Sequence, residues 1–140
     1  MTHKKSVLAR DYMTGSLTTL SPDMTLMDAV HVLLERRISG APVVDRTGNL
    51  VGILSEKDCL KAALGASYYG YRGGLVVDHM QPKVETVDDE TPIFDVARMF
   101  IEGHFRRYPV VHDRRLVGQV SRRDVLRALR DLTRSDVHES

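Results

Sequence analysis

Two stretches of this chain set a serine and an aspartate three residues apart behind a glycine. The first is Gly52-Ile53-Leu54-Ser55-Glu56-Lys57-Asp58, and it returns 66 residues later as Gly118-Gln119-Val120-Ser121-Arg122-Arg123-Asp124. Each copy ends a short apolar run, Leu50 to Leu54 or Leu116 to Val120. Each opens a run with helical spacing, Cys59 to Leu64 or Val125 to Leu129. The motif is therefore expected where a strand hands over to a helix N-terminus. Unpaired backbone N–H groups and the positive end of the helix dipole collect there, and both favour an anion. The same Ser-x-x-Asp pattern is also a capping box, which needs no ligand, and the two uses are compatible because a cap fixes the helix start that a ligand would use. Neither serine has a general base beside it in sequence, and no nucleophile-base pair or phosphate-transfer loop is visible, so an enzyme is not expected.

The chain around these motifs is 140 residues long, 42% hydrophobic and 28% charged, an ordinary balance for one compact domain or two small halves sharing a core. No apolar run approaches the roughly 20 residues that span a bilayer, and the apolar part of the N-terminus, Val7-Leu8-Ala9, is too short for a signal peptide. A net charge of +1 argues against a partner recognised by bulk electrostatics, such as duplex DNA or an anionic membrane. Cys59 is the single cysteine, so neither a disulfide nor a Cys-rich metal site is available within the chain, and its apolar surroundings make it a small core residue. The simplest compartment is a reducing cytoplasm. The six histidines, His3, His31, His79, His104, His112 and His138, show no metal-ligand spacing; surface or structural roles are expected, with no metal.

The recurrence extends well beyond the motif. Placing Met13 on Met80 also places Thr19 on Thr86, Asp28 on Asp95, Glu35 on Glu102 and Pro42-Val43-Val44 on Pro109-Val110-Val111. With one residue removed from the second copy, Gly52, Ser55 and Asp58 fall on Gly118, Ser121 and Asp124. One unit of about 55 residues thus occurs twice. In the first copy, Ser16 to Leu20 reads as a short strand. Thr25 caps a helix whose core face is Leu26, Ala29, Val30, Leu33 and Leu34, and a hairpin then runs from Ala41 to Val44 and from Leu50 to Leu54. The second copy repeats this with Lys83 to Val87 as strand, Thr91-Pro92 as helix cap and first helical position, and Ile93, Val96, Ala97, Phe100 and Ile101 as core face. Its hairpin turns at His112-Asp113-Arg114-Arg115. The expected fold is α+β, two β-α-β-β-α units at 1–64 and 77–132. Residues 65–76, rich in glycine and tyrosine, read as a linker, and 133–140 as a tail.

These residues resemble the CBS domain family, and the whole chain resembles one tandem CBS pair, the arrangement called a Bateman module. The resemblance is carried by Asp11-Tyr12-Met13-Thr14 and Asp78-His79-Met80, by Ala41-Pro42-Val43-Val44-Asp45 and Tyr108-Pro109-Val110-Val111, and above all by the two Gly-x-x-Ser-x-x-Asp motifs; it covers residues from about 7 to 132. It implies two pseudo-twofold units packed through their sheets. It also implies clefts that in many relatives hold AMP, ADP or ATP, with the motif aspartate on the ribose hydroxyls and the serine with the helix N-terminus facing phosphate. That fits the chemistry, since a carboxylate accepts both hydrogens of a diol.

By the same resemblance, each cleft draws its motif from one copy and the segment before Pro-Val-Val from the other. The phosphate-rich site is then Ser55 and Asp58 with Arg106, Arg107 and Arg123, because an arginine fork offers phosphate two charge-assisted bonds. The weaker site is Ser121 and Asp124 with Ser39 and Gly40, which bring no cation. Ile53, Val84, Thr86 and Thr19 are further cleft residues. The resemblance implies a non-enzymatic regulatory module that needs no cofactor, binds an adenosine ligand, pairs as a homodimer and signals to a protein partner of unknown identity. Two other classes stay open. One is a structural dimerisation module with empty clefts and the Ser-x-x-Asp pairs acting only as caps. The other is nucleic-acid binding through the arginines and the Tyr/Gly stretch, which would want a basic groove around the tyrosines, where Arg72 is the only charge.

Overall fold

The computed structural model describes residues 7–69 and 73–139. In chain order the elements are α1 (Ala9–Tyr12), α2 (Leu26–Arg36), β1 (Gly40–Val44), β2 (Leu50–Ser55), α3 (Glu56–Tyr69), α4 (Val76–His79), β3 (Val87–Asp88), α5 (Ile93–Glu102), β4 (Arg107–His112), β5 (Arg115–Ser121) and α6 (Arg122–Glu139). The fold is α+β, as expected. The chain divides into two compact units, one from Thr18 to Val84 and the other made of the residues up to Leu17 together with those from Glu85 onward. They are called here the Ser55 unit and the Ser121 unit.

In the Ser55 unit, β1 and β2 pair antiparallel from Gly40 opposite Ser55 to Val44 opposite Leu50, with a bulge at Val43/Val44. Helix α2 starts where the Thr25 hydroxyl accepts the Asp28 N–H at 3.2 Å, and it ends at Arg37, whose φ of 54° is left-handed. Leu26, Ala29 and Leu33 bring its apolar stripe onto Leu20, Ala41, Val43, Leu54, Ala62 and Val76. Leu34, expected in that stripe, is 70% exposed, and its counterpart Ile101 in α5 is 82% exposed. The buried stripe is narrower than the apolar pattern, and both residues stand on its outer flank. The expected strand Ser16 to Leu20 is reduced to one bridge, with Leu20 N–H on Pro42 O and Val44 N–H on Leu20 O, both at 2.9 Å.

The Ser121 unit repeats the plan with a third strand. Here β3 pairs parallel with β4, which pairs antiparallel with β5. The strand expected at Lys83 to Val87 survives only as Val87–Asp88. The hairpin turns at Asp113 and Arg114, whose φ values of 47° and 71° match the strand twist of a two-residue primed turn. Pro92 takes the cap position of α5 rather than its first helical one. Val87, Ile93, Val96, Phe100, Tyr108, Val110, Val120, Val125 and Ala128 form the core with Ala9.

Ala9 in that core shows that the compact units are not the sequence repeats. Helix α1 precedes the first repeat's strand but docks on the second repeat, with Ala9 N–H on Thr91 O and Ile93 N–H on Val7 O at 2.8 Å, and Thr14 N–H on Gln119 O at 2.8 Å. Helix α4 precedes the second repeat's strand and docks on the first, with Val76 N–H on Met24 O and Ile53 N–H on Gln81 O, both at 2.9 Å. Each is one helical turn, closed by Asp11 on the Leu8 N–H or Asp78 on the Leu75 N–H. The expected linker begins instead as helix, because α3 continues to Tyr69, and α4 follows from Val76; residues 70–72 of that stretch lie outside the described residues. The expected tail is helical through Glu139.

The exchanged segments press methionine onto the motif glycines. A Cβ at Gly52 would lie 2.6 Å from Met80 Sδ and 2.9 Å from Gln81 O, and one at Gly118 2.6 Å from Met13 Sδ and 2.9 Å from Thr14 O. Because a backbone oxygen as well as a side chain would have to move, Gly52→Ala and Gly118→Ala are expected to cost about 1–3 kcal/mol, the range for overpacking. Gly65→Ala in α3 meets nothing within 4 Å and should stabilise by about 0.5–1 kcal/mol through helix propensity. Urea midpoints at constant slope read both signs. An unshifted midpoint for Gly118→Ala would remove the close-approach account.

Candidate functional site

Both motifs sit where a strand becomes a helix: β2 ends on Ser55 as α3 begins at Glu56, and β5 ends on Ser121 as α6 begins at Arg122. At the first junction the Ser55 hydroxyl accepts the Asp58 N–H at 3.2 Å and donates to Asp58 Oδ2 at 2.8 Å, while the Ser55 N–H donates to the same oxygen at 2.9 Å. At the second, the matching distances for Ser121 and Asp124 are 3.2, 3.0 and 2.7 Å. Each motif is thus a reciprocal capping box with aspartate in the usual glutamate position. The aspartates are 5% and 8% exposed, so a buried carboxylate stands at each helix start.

Their second oxygens are held differently. Asp58 Oδ1 accepts the Gln81 side-chain amide at 3.0 Å, and Asp124 Oδ1 accepts Arg127 Nη2 at 2.7 Å. Burial works against ionisation of Asp58, but the Gln81 amide, the Ser55 N–H and hydroxyl and the charge of Lys61 outweigh it, so its carboxyl lies below its ordinary value. Arg127 is also placed by the N-terminal segment. Its Nη2 reaches Tyr12 O at 3.3 Å, its guanidinium lies 5.6 Å from the centre of the Tyr12 ring, and the Tyr12 hydroxyl donates to Asp131 at 2.7 Å. That bond to Asp131 is the main reason the Tyr12 hydroxyl is harder to ionise than usual.

The helix starts offer an anion less than the sequence promises, since several of the N–H groups there are already bonded. Besides the Asp58 and Asp124 N–H groups inside the caps, the Glu56 N–H donates to Ser39 O at 2.9 Å and the Arg122 N–H to Arg106 O at 3.4 Å. Within the Ser55 unit, Gly40 stands opposite Ser55 in the ladder, Ile53 bridges Gln81, Thr19 is exposed and Val84 half-buried. Within the Ser121 unit, Arg107 stands opposite Ser121, and Arg106, Arg107 and Arg123 are exposed with no ion pair to any described residue.

Thr86 lines a cavity of about 420 Å³ with Glu85, Met99, Glu102, Gly103 and Tyr108, and a Cβ at Gly103 would lie 2.6 Å from Tyr108 Oη. The Cys59 thiol is pushed up by burial and by Asp58 and Glu56, which keeps it from acting as a thiolate. His112 spends its Nδ1 on Asp89 at 3.0 Å, a structural role.

A family model for the CBS domain matches residues 9–65 and 76–131. The chain belongs to the CBS domain family. Among solved structures, CBSX2 of Arabidopsis thaliana in complex with AMP is 34% identical with a TM-score of 0.75, over 90% of this chain and 98% of that one. The CBS domain pair of MJ0100, in complex with 5′-methylthioadenosine and S-adenosyl-L-methionine, is 28% identical with a TM-score of 0.69, over 89% and 97%. CBSX1, a chloroplastic CBS domain-containing protein of Arabidopsis thaliana, is 30% identical over 96% of this chain and 71% of its own length. No helix among the described residues is long and apolar enough to cross a membrane.

Two residues of these CBS units were not read as site residues from sequence, Arg127 being expected only on a solvated helix face, where the structure pairs it with Asp124. Gln81 lies 23 residues from Asp58 and reaches it only because the segment after α4 belongs to the Ser55 unit. Arg127 was legible in principle, since it follows Asp124 by three on one helix face.

Removing the Asp58 carboxylate leaves Ser55 and Gln81 without their acceptor. Asp58→Ala is therefore expected to cost about 1–3 kcal/mol, the range for stranded buried donors. Because its folded value is lowered, Asp58 stabilises the fold above the ordinary carboxylate range, and that contribution is lost as pH falls through the lowered value. Urea midpoints taken from about pH 6 to about pH 3 should fall less steeply for Asp58→Asn than for the parent, and parallel slopes would deny Asp58 this role.

Proposed function

We propose that this chain is a regulatory module, not an enzyme, that binds an adenosine-containing nucleotide such as AMP, ADP or ATP at its Ser-x-x-Asp motifs and signals occupancy to a protein partner. The observation that carries this reading is the Asp58 carboxylate. It is buried at a helix start with one oxygen committed to the cap, while among the described residues its other oxygen is held by a neutral side-chain amide. A ribose diol supplies two hydroxyl donors that can take the place of that amide. The AMP complex of CBSX2 and the methylthioadenosine and S-adenosylmethionine complex of the MJ0100 pair support adenosine as the common ligand part.

In this proposal Ser55, Asp58 and Ile53 serve the tighter-bound nucleotide, with Arg106, Arg107 and Arg123 for its phosphate and Thr86 and Val84 as further ligand-binding residues. Ser121, Asp124, Ser39, Gly40 and Thr19 serve the weaker one. The guanidinium groups of Arg106, Arg107 and Arg123 are available for phosphate, being unpaired among the described residues. A structural module with empty clefts is the second reading, and the completeness of both capping boxes favours it.

A hundredfold excess of ligand over its dissociation constant should add about 2.7 kcal/mol and raise the melting temperature by several degrees. AMP, ADP, ATP, NAD, S-adenosylmethionine and a short oligonucleotide compose the panel. No shift with any adenosine compound leaves the empty scaffold, and a shift with the oligonucleotide alone turns the reading to nucleic acid. In calorimetry, Asp58→Asn should weaken the tight event about ten- to a hundredfold, for loss of a hydrogen bond to a charged group, while Asp124→Asn leaves it nearly intact. Arg106→Ala and Arg107→Ala should weaken a nucleotide far more than adenosine. If Asp124→Asn is the damaging change, Arg106 and Arg107 belong with the motif of their own repeat.

The module is also proposed to pair with a second copy. Leu34, Leu60, Ile101 and Leu126 are each more than 60% exposed, and a groove of about 290 Å³ runs beside Met27, Leu34, Cys59 and Leu60. Light scattering should give twice the 15.8 kDa chain mass, and a monomer mass with and without ligand would end this part of the proposal.

A further inference from the structure

The two motifs match in their caps and differ in what holds the outward oxygen. A carboxylate offers about four acceptor positions. In each motif the cap fills two of them, through the serine N–H and hydroxyl, and one more is taken on Oδ1. One position remains, so a ribose diol, which brings two donors, can seat both only if the Oδ1 partner leaves. At Asp58 that partner is the uncharged amide of Gln81 at 3.0 Å. At Asp124 it is the Arg127 guanidinium at 2.7 Å.

The Arg127 bond is charge-assisted on both sides, so it is shorter and stronger than a neutral donor makes, and its loss leaves a buried carboxylate without its cation. Two further contacts hold the arginine where it is, Tyr12 O at 3.3 Å and the Tyr12 ring at 5.6 Å, and Asp131 in turn fixes the Tyr12 hydroxyl at 2.7 Å. The position equivalent to Arg127 in the first repeat is Lys61, which makes no hydrogen bond or ion pair to Asp58, so this lock belongs to one motif only.

We infer that Arg127 is a specificity-determining residue of the second motif: it occupies the ribose-accepting oxygen of Asp124 and weakens there the binding of diol ligands that Asp58 admits. The inference rests on the proposal that the motif aspartates accept ribose hydroxyls. It gives the inequality of the two motifs a cause separate from Arg106 and Arg107, namely the strength of the donor that a ligand must displace.

The test is calorimetric titration with AMP of the parent chain, Arg127→Met, Arg127→Gln and Arg127→Lys, each first checked for a cooperative unfolding transition. Methionine keeps an apolar stem against the Tyr12 ring and removes the donor; glutamine gives Asp124 a neutral amide of the kind Asp58 has. The expected result is one tight binding event per chain for the parent and for Arg127→Lys. Arg127→Met and Arg127→Gln should add a second event, at least about tenfold tighter than any second event of the parent, that disappears when Asp124→Asn is combined with either change. Should Arg127→Met not fold, Arg127→Gln carries the same reading.

A single event of unchanged affinity in all four proteins overturns the inference and leaves the nucleotide reading standing. Loss of an event in Arg127→Met overturns it in the other direction, making the arginine a ligand contact. No binding heat from any of the four overturns both this inference and the proposed function.

Discussion

A carboxylate withdrawn from water must have its oxygens filled or give up its charge, and this chain twice puts one at the first turn of a helix. Everything local to the two motifs answers that demand. The serine supplies a backbone donor and a hydroxyl donor to one oxygen and takes the aspartate N–H in return, so the strand end and helix start close on each other. At Asp58 these bonds, with the Gln81 amide and the charge of Lys61, outweigh burial and keep the carboxyl below its ordinary value. Filling the other oxygen is left to residues outside the motif, and there the two copies part company.

That second demand gives the exchanged segments their place. Gln81 comes to Asp58, and Tyr12 to Arg127, because the stretch before each repeat's first strand is built into the unit holding the other repeat's motif. The same stretches bring Met80 against Gly52 and Met13 against Gly118, which explains why both motifs open with glycine: the neighbouring backbone oxygen and sulfur leave no room for a side chain. The short helices α1 and α4, four residues each, could not stand by themselves, and their single turns persist because Ala9 and Val76 are wholly buried in the units that receive them.

Much of this was legible in the sequence. Duplication, hairpins, the Thr25 cap and the position of both motifs follow from periodicities and turn chemistry that act over a few residues. The exchange was not, because no local pattern says which unit Asp11-Tyr12-Met13 or Asp78-His79-Met80 will join; that is settled by long-range bonds such as Ala9 to Thr91. The first strands were over-read for a similar reason. Alternating residues at Ser16 to Leu20 and Lys83 to Val87 suggest strands, yet only Leu20 and Val87 are buried, and the ladder forms only where burial holds the backbone against its neighbour. Leu34 and Ile101 mark the opposite error, since an apolar residue at helical spacing belongs to the core only if the element packed against it is wide enough to cover it.

The repeats therefore encode one shared scaffold and two different chemistries. Where duplicated units keep the cap but change the residue on the second oxygen, the scaffold is held by the first demand and, on the proposed reading, the binding character would be set by the second. On the proposed reading, hydroxyl donors would displace the neutral amide at Asp58 with little change in charge balance. At Asp124, displacing a guanidinium separates a buried carboxylate from its cation, a larger cost that the ligand's own contacts must offset. Likeness of motif is thus a poor guide to likeness of site. The difference between the copies sits on residues that neither the glycine, the serine nor the aspartate reveals, one of them three residues along the same helix and the other 23 residues away in a segment that the fold exchanges.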